Sequence, residues 1–449
     1  MELSITDIST KIEKLISWLD SEFLEREDVV RGAVLAIMSG EHVLILGPPG
    51  TAKSLLARTV CSGIENGRFF YYLLTKFTTP EEIFGPLSLK ALEEDRFERK
   101  IEGYLPTAHI VFLDEIFKAS SAILNTLLTI INERKFHMGE KIIDVPLLSI
   151  FGASNELPEE NESLEALYDR FLLRFEVDYV SNEDSFAKIA IGEVEEKGLP
   201  KVLHLTIEEI KFVQSKISSV KIPRQILREI LVIRNKLFER NLKASDRRWK
   251  KIIKILRVSA LLNNRGKVDY SDLFLLKHML WDKPEDKKVV NQVLIDTLTR
   301  GVREASDIEE KTKLIAEHLS KETKIKEKLI TVSNQEKWIY FVSIKGEQKN
   351  KLKELFYSSL NELLDDLKES LNIINERRRF ILNQLDRNIF VSDKSIKDML
   401  NERIDNEIKK LKDLEQPIKV LISLLDNGSL PHEEIVQTPV IGEFWKRKN

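Results

Sequence analysis

Eight consecutive residues, Gly47-Pro48-Pro49-Gly50-Thr51-Ala52-Lys53-Ser54, carry the strongest chemical signal in the chain. They follow the apolar run His42-Val43-Leu44-Ile45-Leu46 and precede the helical run Leu55-Leu56-Ala57-Arg58, the strand–loop–helix setting that a phosphate loop requires. In such a loop successive backbone N–H groups wrap a β-phosphate and the N-terminus of the next helix adds its dipole. Lys53 reaches the β- and γ-phosphates, and Ser54 ligates Mg²⁺. Leu55 opens the helix and completes the nucleotide-binding set. Ala52 stands where a glycine usually precedes the lysine, a departure that the strand–loop–helix setting outweighs. Sixty-one residues after Lys53, the run Ile110-Val111-Phe112-Leu113 delivers Asp114 and Glu115. Asp114 is placed to hold Mg²⁺ through water, and Glu115 to polarise the water that attacks a γ-phosphate. Two carboxylates that merely end a strand are the alternative, which the lysine loop upstream disfavours. The implied cofactors are ATP and Mg²⁺, and the implied reaction is ATP hydrolysis.

The elements that must position these residues are legible in composition and period. Ten of the 17 glycines lie between Gly32 and Gly152, whereas the 132 residues from Glu285 to Gln416 contain no proline. In the first part short apolar runs alternate with helical periods, the pattern of a parallel sheet covered by helices. Leu147-Leu148-Ser149-Ile150-Phe151-Gly152-Ala153 reads as another buried strand. From about Lys201 to Asp282 helical periods take over, as in Ile226, Ile230, Ile233 and Ile252, Ile255, Leu256, Ala260. Beyond them, apolar residues from Leu352 to Ile374 and from Ile396 to Ile418 recur every three or four positions. This spacing predicts two long amphipathic helices, broken near Asn388 to Ser392 and paired antiparallel. The run Trp338-Ile339-Tyr340-Phe341-Val342 reads as a lone strand or hairpin. The predicted fold class is an α/β phosphate-loop module, a parallel sheet flanked by helices, followed by an all-α lid and a mainly helical C-terminal arm. The expected domains are 1–196, 197–285 and 286–449, the last with a short strand segment near 331–346.

These residues resemble the AAA+ superfamily. The string from Asp114-Glu115-Ile116-Phe117-Lys118-Ala119 through Asn125-Thr126-Leu127-Leu128 to Asn132-Glu133-Arg134 resembles its MoxR family. Phe77-Thr78-Thr79-Pro80-Glu81-Glu82-Ile83-Phe84-Gly85-Pro86, Ser154-Asn155-Glu156-Leu157-Pro158, Leu167-Tyr168-Asp169-Arg170 and Ser245-Asp246-Arg247-Arg248-Trp249 are similar to the regulatory ATPase variant A (RavA) branch. The resemblance spans about residues 1–285. It implies a sensor 1 role for Asn155, on the attacking water or γ-phosphate, and an arginine-finger role for Arg170 toward a neighbouring subunit's nucleotide. It implies a sensor 2 role for Arg247, with Arg248 the competing choice. The stretch Phe23-Leu24-Glu25-Arg26-Glu27-Asp28-Val29-Val30 lies where the family places the adenine, so Val29 or Val30 would line that pocket, an ordinary core role being the other reading. Leu87 to Tyr104 corresponds to a hairpin insertion aimed at a ring pore, or else to a solvated surface hairpin. RavA proteins insert a β-rich partner-binding domain where this chain has only about Thr331 to Gly346, so their lysine decarboxylase partner is not implied.

The family further implies a homo-oligomeric ring, read as a hexamer, that remodels a protein client, with a von Willebrand factor A domain protein as partner. Composition narrows the rivals. The 70 basic and 73 acidic residues leave a net charge of −3, which gives no global field for nucleic acid or anionic membrane and argues against a nucleic-acid motor. A nucleotide-gated scaffold that does not cycle is disfavoured by Glu115, Asn155 and Arg170. Metal insertion into a tetrapyrrole is a weaker rival. Cys61 is the only cysteine, so no intrachain disulfide forms and a reducing compartment fits. No uncharged apolar stretch reaches the roughly 18 residues of a membrane span, and the N-terminus lacks a signal-peptide pattern; the expectation is a cytoplasmic protein. The seven histidines never fall three to five apart, so none pairs as a helical zinc site. The arm is expected to be dispensable for folding of the nucleotide module, and Arg377-Arg378-Arg379 near its turn is a candidate contact for an acidic surface.

Overall fold

A computed structural model of the chain describes residues 3–139, 141–158, 162–191, 198–299, 305–332, 335–344, 349–391, 394–427 and 429–431. They form two units: Met1–Leu298 together with Asn383–Asp393, and Thr299–Leu382 together with Lys394–Asn449.

The first unit is built on strands β1 (Val43–Leu46), β2 (Phe69–Leu73), β3 (Ile110–Asp114), β4 (Lys135–Met138), β5 (Lys141–Asp144), β6 (Ser149–Ser154) and β7 (Leu173–Glu176). Five of them make a parallel sheet in the order β2-β3-β6-β1-β7. β1 and β6 are buried along their whole length, which is why they read as continuous apolar runs rather than alternating ones. β2 and β7 escaped the sequence reading for separate reasons. β2 is an edge strand that leaves Tyr71 and Leu73 exposed. β7 carries the fully buried Arg174, whose charge breaks the apolar signature.

β4 and β5 form a separate antiparallel hairpin. The segment Leu87 to Tyr104 also folds back on itself, the Ser88 N–H donating to the Glu98 carbonyl and the Lys100 N–H to the Pro86 carbonyl, both at 2.8 Å. That segment is closed by a single bridge between Leu87 and Arg99 and holds the short helix Leu89–Leu92, whose first turn is capped by the Ser88 hydroxyl accepting from the Ala91 N–H at 3.4 Å. Residues 93–100 are too densely charged to sustain strand alternation, whereas Gly139, at φ 61°, supplies the left-handed turn between β4 and β5.

The lid comprises helices Ile207–Lys216, Arg224–Glu239, Asp246–Leu262 and Asp286–Leu298, with the 3₁₀ turn Ser271–His278. The first unit therefore continues past residue 285 to Leu298. Asp282 ties lid to sheet. Its Oδ1 accepts from Arg174 at 2.6 Å and from Arg248 at 2.8 Å, both of them buried.

The turn of the C-terminal hairpin also belongs to this unit, whereas the rest of the expected arm falls in the second unit. Asn388 is buried, donates to Ser271 Oγ at 2.9 Å and Asp272 Oδ1 at 3.1 Å, and accepts from Asn263 Nδ2 at 3.1 Å. Arg31 Nε donates to the Ile389 carbonyl at 3.1 Å, and Phe390 and Val391 are buried.

The second unit has helices Ala305–Glu322, Lys349–Asp386 and Lys394–Asn427. β8 (Thr323–Val332) and β9 (Gln335–Ile344) form an antiparallel ladder that β10 (Ser429–Pro431) extends, longer than the short strand segment expected near 331–346. Leu360, Leu363, Leu367 and Ile374 on one long helix and Leu400, Leu411 and Ile418 on the other are buried, as the heptad-like spacing requires, whereas Leu355 of the same stripe is exposed. Arg378 bonds Asn401 at 3.0 Å and pairs with Asp405 at 2.7 Å, so its guanidinium links the two long helices.

Candidate nucleotide site

The loop between β1 and the helix Lys53–Ser62 has the backbone that phosphate wrapping needs. Gly47 sits at φ 150°, Gly50 at φ 79° and Ala52 at φ 62°. A Cβ on Gly47 would lie 2.0 Å from the Val177 carbonyl oxygen, so only glycine fits there. A Cβ on Gly50 would meet nothing within 4 Å, and its positive φ alone favours glycine. Lys53 Nζ donates to the carbonyls of Gly47 at 2.6 Å and Pro48 at 2.8 Å, and the Thr51 hydroxyl donates to Pro48 O at 2.9 Å.

Parallel register brings the other residues to the same end of the sheet. β1, β3 and β6 all run toward the loop, so Asp114 ends β3 where Asn155 follows β6. Asn155 Nδ2 donates to Glu115 Oε1 at 2.6 Å, and Lys53 Nζ lies 3.4 Å from Asn155 Oδ1. Glu115 adopts φ 51° in the left-handed region and pairs with Lys118 at 3.2 Å. Burial pushes the Asp114 carboxyl above its ordinary value despite the Glu115 N–H and Lys53. Burial likewise lowers the Lys53 ammonium, against Asp114 and Glu115. Both charges are partly stripped of water, and each gains from an opposite charge brought by a ligand.

Beside the loop lies a cavity of about 750 Å³, walled by Trp18, Phe23, Leu24, Tyr179 and Phe186 and reaching Thr51, Ala52 and Leu55. Val29 and Val30 do not line it. Both are buried in the helix Glu27–Ser39, and it is Phe23 and Leu24, before that helix, that reach the wall. Arg26 fixes this turn. It is buried, its Nε donates to Thr51 O at 3.4 Å, and it also bonds the Asp178 carbonyl. Sequence reading included Arg26 in the adenine stretch but gave it no role, although a charged residue flanked by aromatic and apolar positions at a helix start was the available signal.

Arg170 and Arg247 lie elsewhere. Arg170 precedes β7, which runs parallel to β1 with Leu173 opposite Val43, so it sits at the end of the sheet remote from the loop. Its Nε donates to Asn132 Oδ1 at 2.9 Å, and Arg247 donates to the same oxygen. Arg248, the competing sensor 2 choice, is buried against Asp282 and the Trp281 carbonyl.

Residues 10–215 match the family model described as the MoxR domain in MoxR–vWA–β-propeller ternary systems, and residues 225–294 match an AAA lid domain. The chain carries a MoxR-family AAA+ ATPase domain with its lid. An uncharacterized protein of Methanocaldococcus jannaschii is 44% identical over 304 residues, 68% of this chain and 78% of the relative. The chaperone MoxR1 of Mycobacterium tuberculosis is 27% identical over 177 residues, covering 38% of this chain and 46% of that MoxR protein. A Cytophaga hutchinsonii crystal structure, provisionally named an ATPase, shares the fold at TM-score 0.53 and 17% identity, over 66% of this chain and 96% of that one. Among the described residues no helix is long and apolar enough to cross a membrane.

Proposed function

We propose that this MoxR-family chain hydrolyses ATP to ADP and phosphate in a ring of its own copies, a hexamer, and uses the cycle to remodel a protein client. The observation that carries the reading is the chain of contacts Lys53–Asn155–Glu115, set at one end of the sheet beside an aromatic-walled cavity large enough for a nucleoside. The loop amides and Lys53 hold the phosphates, while Trp18, Phe23 and Leu24 take the base. Asn155 orients Glu115, whose carboxylate accepts a proton from the attacking water. Ser54 and Asp114 offer hard oxygen donors that suit Mg²⁺, and among the described residues no group of three or more His, Cys, Asp or Glu is placed to hold a metal ion. Ser54 and Asp114 would hold the ion, which would neutralise phosphate charge there.

Arg170 and Arg247 are separated from their own loop by at least the length of β1, roughly 13 Å at ~3.3 Å per residue. They act on the nucleotide of the adjoining copy, Arg170 as finger and Arg247 as sensor 2. The family model's name supports a von Willebrand factor A partner. The Phe77 to Pro86 and Ser245 to Trp249 motifs support a place near the RavA branch, in a cytoplasmic setting. Nucleotide titration and phosphate release on two variants test the core of this reading. Lys53→Ala is expected to lose ATP binding, and Glu115→Gln to bind ATP without turnover. Wild-type turnover by Glu115→Gln overturns the assignment of the water-polarising residue.

A further inference from the structure

Two guanidinium groups, Arg170 before β7 and Arg247 in the first turn of the helix Asp246–Leu262, donate to one acceptor, Asn132 Oδ1. Like charges repel, so their convergence needs a cause. Three are present. The Asn132 oxygen offers both cations the same lone-pair region. Asn132 lies in the last turn of the helix Ser121–Glu133, whose C-terminal carbonyls carry the negative end of the helix dipole. Asp169 pairs with Arg170 at 3.3 Å, which offsets part of the charge. Burial and then the nearby Arg247 both disfavour the charged form of Arg170, as expected for a crowded cation awaiting an anion.

The chemistry at this point is a receptor for a multiply charged oxyanion. The two forks come from different elements, one on the sheet and one on the lid, and Asn132 is the group that spans them. An amide oxygen suits this position better than a carboxylate would. It orients the forks through neutral-acceptor bonds that a phosphate replaces at small cost, whereas a carboxylate would compete with the phosphate for the same donors.

We infer that Asn132 is a positioning residue that holds Arg170 and Arg247 together as one paired receptor for the γ-phosphate bound in the neighbouring copy. This rests on the reading that Arg170 acts across the subunit boundary. Preorganised donors lower the barrier because they need no rearrangement when charge develops. Losing Asn132 therefore lowers turnover while leaving ATP affinity, set by the other copy's phosphate loop, nearly unchanged.

The test is a mutant cycle on full-length protein, with kcat, KM for ATP and melting temperature measured for each variant. Asn132→Ala is expected to lower kcat about tenfold, less than the roughly 10²–10³-fold that losing a transition-state donor itself costs because both guanidinium groups remain, with KM and melting temperature little changed. Arg170→Ala is expected to lower kcat further, and adding Asn132→Ala to it to cost clearly less than it does in wild type, because only Arg247 is then left to orient. Multiplicative losses in the double variant, or a wild-type kcat in Asn132→Ala, overturn the role of Asn132. Wild-type turnover in Arg170→Ala instead overturns the finger reading itself, so the two failures are distinct. Should Asn132→Ala not fold, Asn132→Leu removes the same acceptor and enters the same cycle.

Discussion

Gly47 and Ala52 make opposite demands on the same loop. At Gly47 a Cβ would lie 2.0 Å from the Val177 carbonyl oxygen and 2.9 Å from Val177 Cγ2. Gly47→Ala is therefore expected to cost about 3 kcal/mol through overpacking and backbone strain and to abolish nucleotide binding. A thermal melt and a titration with a fluorescent ATP analogue measure the two effects. Ala52 already occupies the left-handed region at φ 62° and is exposed. Ala52→Gly relieves about 1 kcal/mol of strain but adds a comparable unfolded-state entropy. Its melting temperature is expected within about 2 °C of wild type, with unchanged ATP affinity. The departure from the usual glycine is thus a tolerated variation. A large gain or loss in either measurement would contradict it.

Between elements, the sharpest dependence is on Asp282. Burial pushes its carboxyl up, but the guanidinium groups of Arg248 and Arg174 outweigh burial and hold it below the ordinary 3.8. A carboxylate depressed in the folded state contributes stability that is present above its unfolded pKa and lost as pH falls through the folded one. The melting temperature should therefore fall more steeply below about pH 4 in wild type than in Asp282→Asn. At neutral pH Asp282→Asn is expected to destabilise by about 1–3 kcal/mol, since two buried arginines lose their common anion while Asp282 itself keeps partial contact with water. Parallel pH–melting curves for the two proteins would exclude this account. The hairpin turn makes a second junction. Removing the chain beyond residue 300 takes Asn388, Phe390 and Val391 out of the nucleotide-binding unit and leaves Asp272, Ser271 and Asn263 without them. Such a truncation is expected to melt several degrees lower than the full chain, and Asn388→Ala alone should reproduce part of the drop, on the order of 1–3 kcal/mol. Unchanged melting in both would mean the junction adds nothing to stability.

At the scale of the molecule, one copy holds a phosphate loop at one end of its sheet and paired arginines at the other. Rings mixed from Arg170→Ala and Lys53→Ala subunits test this division of labour. Each variant keeps the half that the other lacks. Loss of an arginine finger costs about 10³-fold or more, so either variant alone should be nearly inactive, and mixed rings should regain part of the wild-type phosphate release. No recovery in rings verified as mixed would place both arginines in the wrong role.

The sequence by itself determined the phosphate loop, Asp114 with Glu115, the buried strands β1, β3 and β6, and the two long helices of the arm. Each is a local pattern, in which backbone demands at Gly47 and Gly50, or burial with a fixed period, write themselves into contiguous residues. Tertiary structure decided what depends on meetings between distant segments. It placed Trp18, Phe23 and Phe186 around one cavity while Val29 and Val30 went into the core. It drew Arg247 to Asn132 and Arg170 while burying the adjacent Arg248 on Asp282, a choice set by which side of the lid helix faces the sheet. It seated the turn around Asn388 in the nucleotide-binding unit, because the polar groups of Asn263, Ser271 and Asp272 that satisfy it come from segments more than a hundred residues away in the chain.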